Sequence, residues 1–153
     1  MESEKPRDLK VRTLEFAVRI IRLSNALPHS SAGGVIAKQI LRSGTSVGAS
    51  YREGCRSRSE PEIISKFEHA LQELEETGYW LEVVEAAGLM TAPRLAPLRD
   101  EVNQLTAILV TCVKKIKDRS RTDSKKPLRA GDNPKPPSGE ADPSTQSVEA
   151  DGS

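Results

Sequence analysis

The sequence predicts an all-α fold, an antiparallel up-and-down four-helix bundle followed by a disordered C-terminal tail. Leu, Ile, Val and Ala supply most of the 36% hydrophobic residues, and only 3% of the chain is aromatic. Apolar residues recur at spacings of three and four in four long stretches, and short runs of turn-forming residues separate those stretches. With 153 residues the chain is long enough for one domain with a substantial core.

The first helix is predicted to begin at Asp8, a good N-cap residue, and to end near Leu27, because Pro28 follows. Its apolar residues form two rows, the first of Val11, Leu14, Val18 and Ile21 and the second of Phe16, Ile20, Leu23 and Leu27. Two apolar rows indicate a helix that is covered from two sides.

The second helix is predicted to follow a loop over residues 28–34, with Ser30 or Ser31 as N-cap, and to run from about Gly34 to Arg58. Its middle contains Gly44 and Gly48, and each glycine disfavours a helix by about 1 kcal/mol relative to alanine. A helix break is one interpretation. Because helical periodicity resumes on both sides, we favour the other, in which the two glycines share a face that another helix approaches closely.

The third helix is predicted from about Glu60 to Ala87, with Ser59 as its N-cap, Pro61 in its first turn and Gly88 as its stop. Its apolar face steps by threes and fours along the helix. The predicted members of that face are Ile64, Phe67, Leu71, Leu74, Gly78 and Leu81.

The fourth helix is predicted to begin after Thr91, with Pro93 in its first turn, and it carries the most regular heptad pattern of the chain. That pattern consists of Leu95, Leu98, Val102, Leu105, Leu109, Cys112 and Ile116.

After about Arg119 the sequence becomes rich in Pro, Gly, Ser, Asp and Lys and poor in large apolar residues. We therefore predict a disordered N-terminus over residues 1–7, a bundle over residues 8–119 and a disordered tail over residues 120–153.

The titratable residues form no pattern typical of an active site. His29 lies in a loop and His69 on an acidic helix, and neither has a nucleophile at motif spacing. Cys55 and Cys112 belong to no metal-ligand motif, and we interpret both as reduced thiols. We expect no catalytic residues, no metal, no cofactor and no enzymatic activity. Without an apolar signal segment or membrane span, the prediction is a cytoplasmic protein.

The second and third predicted helices carry opposite charge, although the net charge of the whole chain is only +1. Residues 34–58 hold five basic residues against one acidic, and residues 60–87 hold eight acidic against one basic. The two faces could neutralise each other, and we predict that Arg42 or Arg52 pairs with a carboxylate of the third helix. Alternatively, a basic surface contacts nucleic acid through Lys38, Arg42, Arg52, Arg56 and Arg58.

The stretch from Gln39 to Leu89 also resembles a known family. Its signature positions are Gln39, Arg42, Ser46, Ser50, Tyr51, Glu53 and Gly54. Together with residues 7–11 and the segment Glu76–Glu82, they are similar to four-helix-bundle proteins related to the intervening-sequence protein of large-subunit ribosomal RNA. Ser50 stands where that family usually has Asn.

The resemblance implies an antiparallel bundle with no enzymatic activity, and relatives that assemble as homopentameric barrels. It also implies nucleic acid or reverse transcriptase as partners, as for the accessory variability protein of diversity-generating retroelements. The residues add their own argument for assembly. The chain has more apolar surface than one four-helix core needs. The first helix has two apolar rows, the fourth has a complete heptad pattern, and Tyr79 and Trp80 lie outside the apolar face of the third helix. The leading expectation is a non-enzymatic, homo-oligomeric scaffold or adaptor, with a pentamer as the expected assembly.

Overall fold

The computed structural model describes residues 8–126, so the predicted disorder of residues 1–7 and 127–153 lies outside the described part of the chain. The described residues form four helices: α1 (Leu9–Ala26), α2 (Ser31–Arg56), α3 (Glu60–Ala86) and α4 (Ala92–Ser124). No strand occurs among residues 8–126. The predicted all-α four-helix bundle is confirmed.

The helix boundaries follow from the capping residues. Asp8 accepts a hydrogen bond from the Lys10 amide, and Ser30 accepts one from the Gly33 amide. Ser59 caps α3 in the same way, and Gly88 follows its end with a positive φ of 69°. Each side-chain cap satisfies an amide that the helix leaves unpaired, and its loss typically costs about 1 kcal/mol. Thr91, the predicted cap of α4, makes no such side-chain bond.

Each helix packs mainly against its neighbour in sequence. The contact of α2 with α3 is the most extensive, and α1 and α4 are the least closely packed neighbours. The largest fully buried side chains come from all four helices, including Phe16, Ile40, Leu74 and Leu105. Within residues 8–126, no helix has an apolar stretch long enough to cross a membrane.

Gly44 and Gly48 lie in the middle of α2, facing α1, as the second interpretation of the sequence predicted. A Cβ atom built on Gly44 would lie 2.7 Å from Cγ1 of Ile20, and one built on Gly48 would lie 3.0 Å from Oγ1 of Thr13. Neither distance leaves room for a methyl group without movement. The glycines therefore set the close approach of α1 to α2.

The two apolar rows of α1 have different environments. The row containing Phe16 and Ile20 is buried in the core. We call the other row the outer row, and its members are 48, 55, 38 and 43% exposed: Val11, Leu14, Val18 and Ile21. The heptad seam of α4, by contrast, faces the core of its own bundle, and all its members except the half-buried Cys112 are buried. The seam is thus not a spare apolar face, and that part of the argument for assembly was wrong.

The fourth helix ends at Ser124, five residues beyond the boundary predicted at residue 119. Two observations explain the longer helix. Ser120 donates a hydrogen bond to Glu60 of α3, which ties this turn to the bundle. The hydroxyls of Thr122 and Ser124 donate to backbone carbonyls one turn earlier, so polar composition there did not prevent helix formation.

Candidate functional site

The polar contact between α2 and α3 is centred on Arg42. Its guanidinium lies 3.3 Å from Oε2 of Glu73 and also forms an ion pair with Glu76. The side chain of Glu73 is only 8% exposed, whereas that of Arg42 is 50% exposed. The prediction that Arg42 or Arg52 pairs with a carboxylate of the third helix is confirmed for Arg42.

Glu76 receives two hydrogen bonds that favour its charged form. The first comes from Arg42, and the second from the indole N–H of Trp80 at 3.3 Å. In that order of importance, these bonds hold the pKa of Glu76 below its ordinary value. The bond to Glu76 likewise raises the pKa of Arg42. Both shifts favour the charged forms of the two side chains.

A buried pair of hydroxyls lies next to this cluster. Thr77 Oγ1 of α3 donates to Ser43 Oγ of α2 at 2.9 Å, and Ser43 lies 2.9 Å from the Gln39 carbonyl, to which it can donate. Both residues are fully buried. This pair was not predicted, because the apolar face of the third helix was assigned to Gly78 rather than Thr77. Thr77 lies three residues after Leu74 and four before Leu81, which is the spacing that could have revealed it.

Three other signature residues contact the first turns of α3. A Cβ atom on Gly54 would lie 2.5 Å from Cε1 of Phe67, so this position also requires glycine. The Tyr51 ring stacks on Phe67 with a centroid distance of 5.2 Å, and Glu53 forms an ion pair with Lys66 at 2.8 Å. Burial, aided by the neighbouring Cys55 thiol, raises the pKa of Tyr51. These side chains hold the α2–α3 hairpin together.

The remaining signature residues, Ser46, Ser50 and Gln39, also take part in the internal structure of the bundle. Ser46 donates to the Arg42 carbonyl at 2.7 Å, within its own helix. Ser50 is buried, and the Gln39 carbonyl accepts the bond from Ser43 described above. The signature thus describes how α2 packs, and it does not converge on one cavity.

The five residues predicted to contact nucleic acid do not form one cluster. Lys38 and Arg56 are 18 residues apart on a straight helix, a separation of about 27 Å. Arg42 forms an ion pair with Glu73 of α3, and Arg52 donates a hydrogen bond to the Lys10 carbonyl at 3.4 Å. Arg56 and Arg58 are exposed, and neither forms an ion pair with a carboxylate of residues 8–126.

The described residues contain no group of three or more His, Cys, Asp and Glu side chains that could hold a metal. His69 lies 3.5 Å from Glu73, one turn away on the same helix. Cys55 and Cys112 are both free thiols. The contacts of Arg42 with Glu73 and Glu76 are ion pairs between α2 and α3.

The fold and these contacts define a helical-bundle protein whose signature residues serve helix packing. Comparison with known families gives the same class. Residues 7–111 match the model of the 23S rRNA-intervening sequence protein family, which is more than half of the chain. The chain belongs to this family.

A solved structure supports this assignment. The chain is similar to a protein of unknown function of the S23 ribosomal protein family from Bacteroides thetaiotaomicron, with 36% sequence identity and a TM-score of 0.67. The similarity covers 70% of this chain and 99% of that one. No curated protein matches the sequence.

Proposed function

We propose that the protein is a non-enzymatic, homo-oligomeric scaffold whose subunits contact each other through the outer row of α1. The observation that carries the proposal is the exposure of Val11, Leu14, Val18 and Ile21, which is between 38 and 55%. These residues lie on the side of α1 opposite the buried row. A continuous apolar face of this kind on a folded domain is typical of a protein–protein contact.

The outer row suits a helix-to-helix contact between copies. Its members are spaced by three, four and three residues, which is the pattern of one apolar stripe. From Val11 to Ile21 the stripe is about 15 Å long, the length of nearly three helical turns. The internal roles of the signature residues support a scaffold as well, since Arg42, Tyr51 and Gly54 contact α3 and hold the subunit together.

We propose a pentamer, the assembly that the family resemblance implies. Light scattering at micromolar concentration should then give about five times the mass of one chain. The double variant Leu14→Glu/Val18→Glu should give the mass of a single chain while it keeps its helical circular dichroism, because two charges in an apolar contact are strongly unfavourable. The control is Val110→Glu on α4, which is also exposed and should leave the assembly intact. A wild-type protein with the mass of one chain would refute the proposal.

A second candidate function is nucleic-acid binding, and it rests on one end of the bundle. In an antiparallel bundle the end of α2 and the end of α4 lie at the same end, so Arg56 and Arg58 share that end of the bundle with Lys114 and Lys115. All four are exposed. Binding through such residues would be to the phosphate backbone and would weaken steeply with salt.

The test is fluorescence anisotropy with short RNA and DNA at several salt concentrations. The triple variant Arg52→Glu/Arg56→Glu/Arg58→Glu should lose the binding, and Lys38→Glu at the other end should retain it. Binding that is equal in both variants would argue against this surface. Reverse transcriptase, the other partner that the resemblance implies, would be tested by co-purification with the same variants.

A further inference from the structure

The line of contact between α1 and α4, called here the α1–α4 seam, contains one well-formed ion pair. Nε and Nη2 of Arg12 donate to the two carboxylate oxygens of Glu101 at 2.9 and 3.1 Å. Nη2 also donates to Gln104 at 2.7 Å. The hydrogen bonds that Arg12 donates to Glu101 raise the pKa of Arg12. This pair fixes the relative position of the two antiparallel helices.

Seven residues further along the seam, the charge pattern changes. Since α1 and α4 are antiparallel, a step from Arg12 to Arg19 corresponds to a step from Glu101 to Arg94, about 10.5 Å along each helix. At this level an arginine of α1 therefore lies opposite an arginine of α4. Both line the same groove, together with Arg22, and the groove has a volume of about 240 Å³.

Like charges that face each other across a groove are unfavourable unless they are neutralised. Within the described chain, neither Arg19, Arg22 nor Arg94 forms an ion pair with a carboxylate. Arg94 also lies in the first turn of α4, where the helix dipole disfavours a cation and where no acidic residue is present. The arginines therefore repel each other, and a bound anion would relieve the repulsion.

The walls of the groove would strengthen such an interaction. Leu23, Met90 and Leu98 line it, and each is at most 7% exposed. Apolar walls lower the local dielectric constant, which increases the attraction between a guanidinium and an anion. Guanidinium groups also match the geometry of phosphate oxygens and bind them with two hydrogen bonds.

From this geometry we propose that the groove between Arg19, Arg22 and Arg94 binds a phosphoryl anion. With a volume of about 240 Å³, the groove has room for a phosphate or diphosphate group. The phosphoryl group could belong to a free anion or to a longer molecule that presents it. The site lies at the opposite end of the bundle from Arg56 and Arg58.

The test is calorimetric titration of the full chain with inorganic pyrophosphate at constant ionic strength. We expect saturable binding with one site per chain. Arg94→Gln and Arg19→Gln should each weaken it by about tenfold or more, the effect of losing a charge-assisted hydrogen bond. The matched control Arg56→Gln removes the same charge at the other end and should change the affinity by less than about twofold.

A second variant tests the repulsion directly. Arg94→Glu would place a carboxylate opposite Arg19, repeating the arrangement of Glu101 and Arg12. We expect this variant to melt at a higher temperature than the wild type without ligand, and to show no further rise on addition of pyrophosphate. An unchanged or lower melting temperature together with retained binding would overturn the proposal, as would absence of saturable binding to the wild type.

Short single-stranded RNA distinguishes the two sources of the phosphoryl group. If RNA binds, is displaced by pyrophosphate and is lost in Arg94→Gln, the groove accepts a phosphate of a nucleic acid. If pyrophosphate binding requires Arg94 and RNA binding does not, the ligand is a free anion. Either result supports the site, and pyrophosphate binding that is unaffected by Arg94→Gln and Arg19→Gln refutes it.

Discussion

The two faces of α2 pack by different means. Toward α1, the helix presents Gly44 and Gly48, and the contact consists of backbone against Ile20 and Thr13. Toward α3, it presents Arg42 and Ser43, and the contact is made by an ion pair and buried hydroxyls. The glycines let α1 and α2 approach closely, whereas α2 and α3 are joined by directional polar bonds. Hydrogen bonds have angular requirements that van der Waals contacts lack, so the α3 side defines the register of the hairpin.

The largest effect is expected on the glycine face. Gly44→Ala should lower the free energy of unfolding by about 1–3 kcal/mol, since its methyl group would overlap Ile20, a branched and fully buried side chain. The matched control is Gly34→Ala in the same helix, where a Cβ atom would have no neighbour within 4 Å. Alanine there should stabilise the protein by up to about 1 kcal/mol. Urea denaturation measures both, and equal effects of the two substitutions would contradict the close-packing role.

A smaller effect is expected at the buried hydroxyl pair. Ser43→Ala and Thr77→Val should each cost about 0.5–1.5 kcal/mol, the net value of one hydrogen bond. The cost is limited because each hydroxyl keeps a carbonyl of its own helix within reach, at 2.9 Å from Ser43 and 2.8 Å from Thr77. The double variant should cost less than the sum of the two single variants. Strict additivity in this double-mutant cycle would show that the two hydroxyls do not interact.

The smallest effect, on the same polar face, depends on pH. The pKa of Glu76 is lower in the folded protein than its ordinary value of 4.5. Its contribution to stability is therefore complete above about pH 4.5 and is lost as the pH falls through the lower, folded-state pKa. Glu76→Gln should show a smaller loss of stability on acidification than the wild type.

Glu75→Gln is the control for this prediction, because Glu75 is an exposed neighbour on the same helix. The measurement is the urea midpoint of wild type and both variants at neutral pH and at about pH 3. A pH dependence that is identical in wild type and Glu76→Gln would show that the hydrogen bonds to Glu76 contribute nothing to stability.

Local patterns in the sequence predicted the helices and most of their ends. Asp8, Ser30, Ser59 and Gly88 have capping roles that depend only on neighbouring residues, so their assignments could be made without tertiary information. The end of α4 was predicted too early, because a polar composition does not reveal that Ser120 contacts Glu60 across the bundle.

The site was less predictable for the same reason. The sequence suggested that Arg42 would meet a carboxylate, since the charges of α2 and α3 are opposite. It could not show that Arg52 reaches the Lys10 carbonyl of α1, or that Arg19 lies opposite Arg94. The position of Arg19 opposite Arg94 depends on how α1 and α4 lie relative to each other. The groove residues Ala26 of α1 and Arg94 of α4 are 68 residues apart along the chain. That position is fixed only by packing and by the ion pair of Arg12 with Glu101.

The hydrogen bond between Trp80 and Glu76 gives the molecule an intrinsic optical probe. Trp80 is the single tryptophan of the chain, and its indole N–H lies 3.3 Å from the carboxylate that also binds Arg42. Indole emission responds to a nearby charge and to hydrogen bonding of the ring nitrogen. Fluorescence excited at the red edge of the protein absorption band therefore reports from a single place, the contact between α2 and α3, without any added label.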